Sequence, residues 1–193
     1  MLFMKFLSCH KEIGTLIYRK FTPEEIKYIE VVEANVNYQR FVAGRLITNS
    51  GVTVEAFLFY LARYKGRVFY ASPADLGTKR LKADLKNPLL ATSSPVLALA
   101  RALHDDRDHG KTFLVRPDLE RNSFRVLNKG TALTHQEKGY IYVLDRASVS
   151  PDPDFPGEFI IITKKSKSIV YRIEVTPDDF PYPITYNDPH DMH

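Results

Sequence analysis

The sequence predicts an α+β fold, and three observations carry that prediction. The first 65 residues hold two stretches in which apolar residues recur at helical spacing behind capping signals. From Arg67 onward, short runs rich in β-branched and aromatic residues alternate with polar or glycine-containing turns. Helices do not separate those runs at regular intervals, which disfavours a doubly wound parallel sheet.

The first helix is predicted over residues 22–45. Thr22-Pro23-Glu24-Glu25 supplies a capping hydroxyl, a proline at the first helical position and a capping-box acid, and Ile26, Ile29, Val32 and Val36 follow at helical spacing. Gly44 or the Asn49-Ser50-Gly51 turn ends it. Thr53 caps a second helix through Glu55, Ala56, Leu58, Phe59, Leu61 and Ala62, which stops before Gly66. Strands are expected at 67–70, 89–91, 112–115, 123–127, 140–144, 158–163 and 168–175. One helix interrupts them, with Ser94-Pro95 as cap and first turn and Val96, Leu97, Leu99, Ala100 and Leu103 behind. Three prolines between Pro151 and Pro156 remove amide donors and make that stretch a loop.

The chain therefore divides into an N-terminal helical region (1–65), an α+β core (66–176) and an extended acidic tail (177–193). At 193 residues and 44% hydrophobic content it can bury a sizeable core as one compact unit with an N-terminal extension. The longest apolar runs, 56–62 and 159–162, fall far short of a membrane span, so no membrane is expected. The N-terminus lacks the charged start, long apolar middle and cleavage site of a secretory signal, and the expected location is cytoplasmic. A single cysteine, Cys9, excludes an internal disulfide framework and a thiolate-rich zinc site.

The net charge of +4 permits an acidic partner without demanding one. Basic residues gather at Lys79, Arg80, Lys82 and Lys86, and again at Lys164, Lys165 and Lys167. Each group reads as a solvated face or turn, or as a surface for nucleic acid or an acidic protein. No phosphate-binding loop ending in Gly-Lys-Ser/Thr occurs, no strand-linked Gly-x-Gly-x-x-Gly, and no Gly-x-Ser-x-Gly elbow. His104 and His109 sit among Asp105, Asp106 and Asp108, which fits a polar loop better than a metal site, and no metal is expected. His10 and His135 have no evident partner.

Three separated segments share one design, an apolar strand-like run that meets small or hydroxyl residues: Val68-Phe69-Tyr70-Ala71-Ser72-Pro73, Leu89-Leu90-Ala91-Thr92-Ser93-Ser94-Pro95, and Pro156-Gly157-Glu158-Phe159-Ile160-Ile161-Ile162. With Gly139-Tyr140-Ile141-Tyr142-Val143 before the last of them, their order resembles the core of small ADP-ribosyltransferase-like domains, of the compact kind that includes rifampin ADP-ribosyltransferase. The resemblance covers roughly residues 66–176. It implies a split, mainly antiparallel β-sheet with NAD as substrate, and transfer of ADP-ribose to a macromolecular acceptor, either protein or nucleic acid.

The same resemblance assigns roles. Glu158 stands where the family's acid holds a ribose hydroxyl and stabilises positive charge on the sugar as the bond to nicotinamide breaks. Tyr70 takes the place of a histidine that contacts the ribose, and Ala71 that of a glycine whose backbone pairs with the nicotinamide amide. Ser72 and Thr92 complete the pocket wall, and Tyr140 or Tyr142 packs on the nicotinamide ring. Tyrosine carries its hydroxyl farther from the backbone than an imidazole nitrogen, and alanine adds a methyl where the glycine is bare. The scheme requires the Tyr70 hydroxyl and the Glu158 carboxylate to open onto one cleft. Two other readings remain open: a non-catalytic module or inhibitor of the same fold that binds nucleic acid or an acidic protein, and an enzyme that removes a phosphate from RNA with NAD, whose paired histidine and arginine residues are not found here.

Overall fold

Thr22 and Glu25 form the expected reciprocal cap: Thr22 Oγ1 accepts from the Glu25 N–H at 3.1 Å, and Glu25 Oε2 accepts from the Thr22 N–H at 2.8 Å. The computed structural model describes residues 20–37, 41–77, 80–81, 89–105, 113–118, 123–128, 134–153, 158–161 and 167–186. Helix α1 (Pro23–Asn37) is shorter than its apolar spacing predicts. Within the span expected to be helical, strand β1 (Phe41–Ala43) and the short helix α2 (Gly44–Thr48) follow instead. Helix α3 (Val54–Tyr64) starts as foreseen, its Thr53 cap accepting from the Ala56 N–H at 3.1 Å. Gly66, at φ +59°, takes the left-handed turn into the sheet, a conformation that costs glycine nothing.

The strands begin with β2 (Arg67–Ser72), β3 (Arg80–Leu81) and β4 (Leu89–Thr92), and helix α4 (Pro95–Leu103) follows. Then come β5 (His104–Asp105), β6 (Phe113–Asp118), β7 (Ser123–Asn128), β8 (Thr134–His135) and β9 (Gly139–Asp145). The last strands are β10 (Ser150–Pro151), β11 (Glu158–Ile161), β12 (Lys167–Ser168), β13 (Tyr171–Val175) and β14 (Ile184–Tyr186). β14 lies in the C-terminal tail and pairs with β7. Of the proline-rich stretch, Pro151 belongs to the two-residue strand β10, and residues 154–157 lie outside the described residues.

Among the described residues, seven strands form the main sheet in the order β1-β13-β9-β2-β4-β11-β10, antiparallel except for β1 beside β13. Smaller sheets are β14-β7-β6, β12-β3 and β5-β8. One face of the main sheet carries Phe69, Ile141, Val143, Tyr171, Ile173 and Val175 against Ile29, Val32 and Val36 of α1, Phe57, Leu58 and Leu61 of α3, and Ala98, Leu99, Ala102 and Leu103 of α4. The opposite face carries Val68, Ala91, Tyr142, Leu144 and Phe159, covered by Leu81 of β3. Each valine, leucine, isoleucine or phenylalanine among them contributes roughly 1.5–3 kcal/mol when withdrawn from water.

Within the N-terminal region, residues 20–37 and 41–65 are described. α1 and α3 share the core of the sheet, and β1 extends it.

Helix α4 is enclosed on both sides. Its second face, Val96, Leu97 and Ala100, meets Val126 of β7 together with Phe59 of α3, and all nine of its residues are buried. Gly139 lets it approach the sheet: a Cβ there would lie 2.5 Å from the Ala102 carbonyl carbon and 2.9 Å from the Ala102 Cβ.

Candidate functional site

β2, β4 and β11 carry the three related segments, and the fold sets them side by side in that order. Between β4 and β11 the pairing is continuous, with Thr92 opposite Glu158 and Ala91 opposite Phe159. Between β2 and β4 a single bridge, Phe69 to Thr92, holds the two halves of the sheet together. Past it, Tyr70, Ala71 and Ser72 pair with β9 on one side and have no strand partner on the β4 side among the described residues. Tyr70, Ala71 and Ser72 thus form no ladder with β4 beyond the bridge.

Residues paired across a sheet project from the same face, and neighbours along a strand from opposite faces. Thr92 and Glu158 are thus in phase with Phe69, on the helix-packed face. Tyr70 is in phase with Val68 and Tyr142 and packs with them on the other face. The requirement that the Tyr70 hydroxyl and the Glu158 carboxylate share one cleft is not met by the strand register. The residue in the histidine's place points away from the acid because one step along β2 reverses the side chain.

Glu158 instead meets a residue that the sequence analysis passed over. The Arg101 guanidinium donates from Nη2 to Glu158 Oε1 at 2.9 Å, and the two side chains are only 8% and 17% exposed. The pair lies between α4 and the first residue of β11. Its signal in the sequence is a lone cation in the otherwise apolar run Pro95–Leu103. Burial raises the pKa of the Tyr70 phenol, and the positive charge of Arg101 acts against that rise.

The remaining predicted residues hold local structure. Ala71 packs against the helix-side core, so its methyl is directed away from the opposite face. Ser72 Oγ accepts from the Ala74 N–H at 3.1 Å and shapes the turn after β2. Thr92 Oγ1 accepts from the Ser94 N–H at 3.0 Å, and Ser94 Oγ from the Leu97 N–H at 3.3 Å, which together cap α4. Tyr142 is fully buried, its ring centroid 6.0 Å from that of Tyr70, and its hydroxyl accepts from the Leu76 N–H. Burial raises its pKa. Tyr140 is partly exposed and lies 5.2 Å from the Arg172 guanidinium, which also covers the Phe41 ring at 4.3 Å.

Asp75 binds this group to the loop after β2. It receives hydrogen bonds from Arg172 and from the Gly77 N–H at 2.8 Å, and one at 3.4 Å from Tyr142. The Gly77 amide holds its carboxyl below the ordinary value; burial acts the other way, and Arg172 and the Tyr142 hydroxyl add to the lowering. Neither Asp75 nor Arg172 belongs to a sequence motif.

Two basic groups distant in sequence converge in part. The β3–β12 pair sets Lys167 opposite Leu81 and Ser168 opposite Arg80, while Lys79, Lys82, Lys86, Lys164 and Lys165 lie outside the described residues. His104 is not part of a polar loop. It is 6% exposed at the end of α4, edge-on to Phe180 at 5.6 Å, and its strand pairs in register with His135. His10 and His109 lie outside the described residues.

A cavity of about 300 Å³ lies there, lined by Leu103, His104, Gln136, Pro177, Phe180, Tyr182 and Ile184, and none of the predicted site residues borders it. Among the described residues no three metal-ligating side chains gather, and no helix is long and apolar enough to cross a membrane. Comparison of the chain with protein-family models, with curated proteins and with solved structures returns no match.

Proposed function

We propose that this chain transfers ADP-ribose from NAD to a macromolecular acceptor, protein or nucleic acid, on a split sheet of the ADP-ribosyltransferase type. The observation that carries the reading is the arrangement of three distant segments on adjacent strands, with Thr92 opposite Glu158 and, among the described residues, no β4 partner for Tyr70, Ala71 or Ser72 beyond the bridge to Thr92. That stretch of β2 offers peptide groups to a nicotinamide amide, and Glu158 is the acid for the ribose. In the reaction the bond from ribose to nicotinamide breaks with its electron pair leaving on nicotinamide. An acceptor nucleophile then bonds to the same ribose carbon and loses its proton. A carboxylate beside the sugar lowers the cost of the positive charge that develops between those events.

A second reading is favoured by a specific observation: Glu158 is already bound by Arg101, and Tyr70 projects from the other face. In it the chain is a non-catalytic module of the same architecture. The two readings separate on nicotinamide release from NAD, measured for the wild type and Glu158→Gln with a lysate as acceptor source. The first expects release by the wild type and a loss of roughly two orders of magnitude in the variant, with binding of NAD retained. Absence of release, with no calorimetric heat and no thermal shift from NAD, nicotinamide or ADP-ribose, supports the second. Equal rates in the two proteins would remove Glu158 from the reaction.

A further inference from the structure

We propose that Arg101 is a positioning residue that acts through Glu158, setting the turnover of the site rather than its affinity for NAD. The inference rests on the reading of the site as an ADP-ribosyl transfer centre. Three observations carry it. Arg101 is the sole charged residue of α4, a helix with all nine residues buried, and the acid it meets is 57 positions away, on the strand that bears the third related segment. A guanidinium withdrawn from water is tolerated only when paired, and an apolar pair of similar volume commonly serves stability as well or better, so stability alone is a poor reason to keep an ion pair here.

The helix that holds Arg101 is a rigid reference. It is clamped between the main sheet and β7 and lies against Gly139 with no room for a methyl group. The bond to Oε1 at 2.9 Å anchors one carboxylate oxygen of Glu158, leaving Oε2 as the oxygen that a ribose hydroxyl would meet. Charge is not the useful property, because a cation so close opposes the stabilisation of a second cation on the sugar. The reach and direction of the donor are what count, and the shorter, freely rotating ammonium of lysine does not reproduce them.

The test uses the full chain and four substitution sets: Arg101→Lys, Arg101→Met, Glu158→Gln and the double variant Arg101→Met/Glu158→Gln. Nicotinamide release is followed across NAD concentrations, and thermal melts establish that each protein is folded. The expected result is kcat reduced about tenfold by Arg101→Lys and about a hundredfold by Arg101→Met, with KM for NAD within about twofold of the wild type. In the Glu158→Gln background Arg101→Met produces no further loss, since a residue that acts only through Glu158 has nothing left to position. Arg101→Lys retains the charge, so it keeps the test decisive if Arg101→Met does not fold.

Wild-type turnover in Arg101→Lys, a change confined to KM, or losses that multiply in the double variant would each overturn the inference while leaving the transferase reading intact. A wild type that neither binds NAD nor releases nicotinamide removes that reading, and this inference falls with it.

Discussion

Gly139→Ala tests the seat of α4 on the sheet, on which the Arg101–Glu158 pair depends. The added methyl would overlap the Ala102 carbonyl, with its carbon 2.5 Å away, whereas ordinary contacts of a Cβ lie at 3.4–4 Å. The opposing atoms are backbone on a helix packed on both sides, so no side-chain rotation relieves the overlap. Helix and strand must separate by about 1 Å, and overpacking of this kind costs roughly 1–3 kcal/mol. Arg101 is adjacent to Ala102, and a displacement of about 1 Å carries its 2.9 Å bond to Glu158 beyond hydrogen-bonding range.

A buried pair so weakened brings the total toward about 3 kcal/mol or more. For a chain of this size that is a fall in Tm of roughly 6–12 °C, measurable by circular dichroism. Gly66→Ala is the control: its Cβ meets nothing within 4 Å, so only its φ of +59° is strained, at about 1 kcal/mol. If Gly139→Ala melts within about 2 °C of the wild type, α4 does not lie against β9 as described.

Two further outcomes follow from the same packing. Asp75 has its pKa depressed in the folded state, so its contribution to stability is present above the unfolded value near 3.9 and is lost as pH falls through the lower folded value. Since its side chain is 43% exposed, the contribution is below about 1 kcal/mol. The Tm gap between the wild type and Asp75→Asn should be present at pH 7 and shrink below about pH 4, and a gap unchanged at pH 3 would contradict the assignment. Deletion of residues 1–65 should leave a chain without a cooperative thermal transition, because α1 and α3 supply one wall of the core; a sharp melt of the truncated chain would disprove this.

Local signals were the readable part of this sequence. The caps at Thr22, Thr53 and Ser94 are determined by residues within three positions of one another, and each is found where its hydroxyl predicts. The strands around Tyr70, Ala91, Ile141 and Phe159 announce themselves by composition in the same way. What failed was decided at long range. Phe41–Ala43 fits a helical register as well as a strand, and pairing with residues 172–174 selects the strand.

The site shows the same division. Glu158 and Thr92 stand together because β11 pairs with β4, whereas Tyr70 diverges from them by the alternation of β2, which a motif match does not register. Arg101 carries a signal only in retrospect, as a charge in an apolar helix. Its partner could not be named before the strand order was known.

The parallel pairing of β1 with β13 has a consequence for how the chain is made. Phe41 and Arg172 are register partners some 130 residues apart, so the edge of the main sheet cannot close until the ribosome has passed residue 172. At bacterial-to-eukaryotic elongation rates of about 5–20 residues per second, β1 waits roughly 7–26 s for its neighbour. During that interval Val42, Ile47 and the apolar side of α3 are finished but lack the sheet that will cover them. Nascent chains of this protein should therefore engage holdase chaperones through residues 41–64, and refolding of the released chain should be slow for its size because its decisive contacts are non-local.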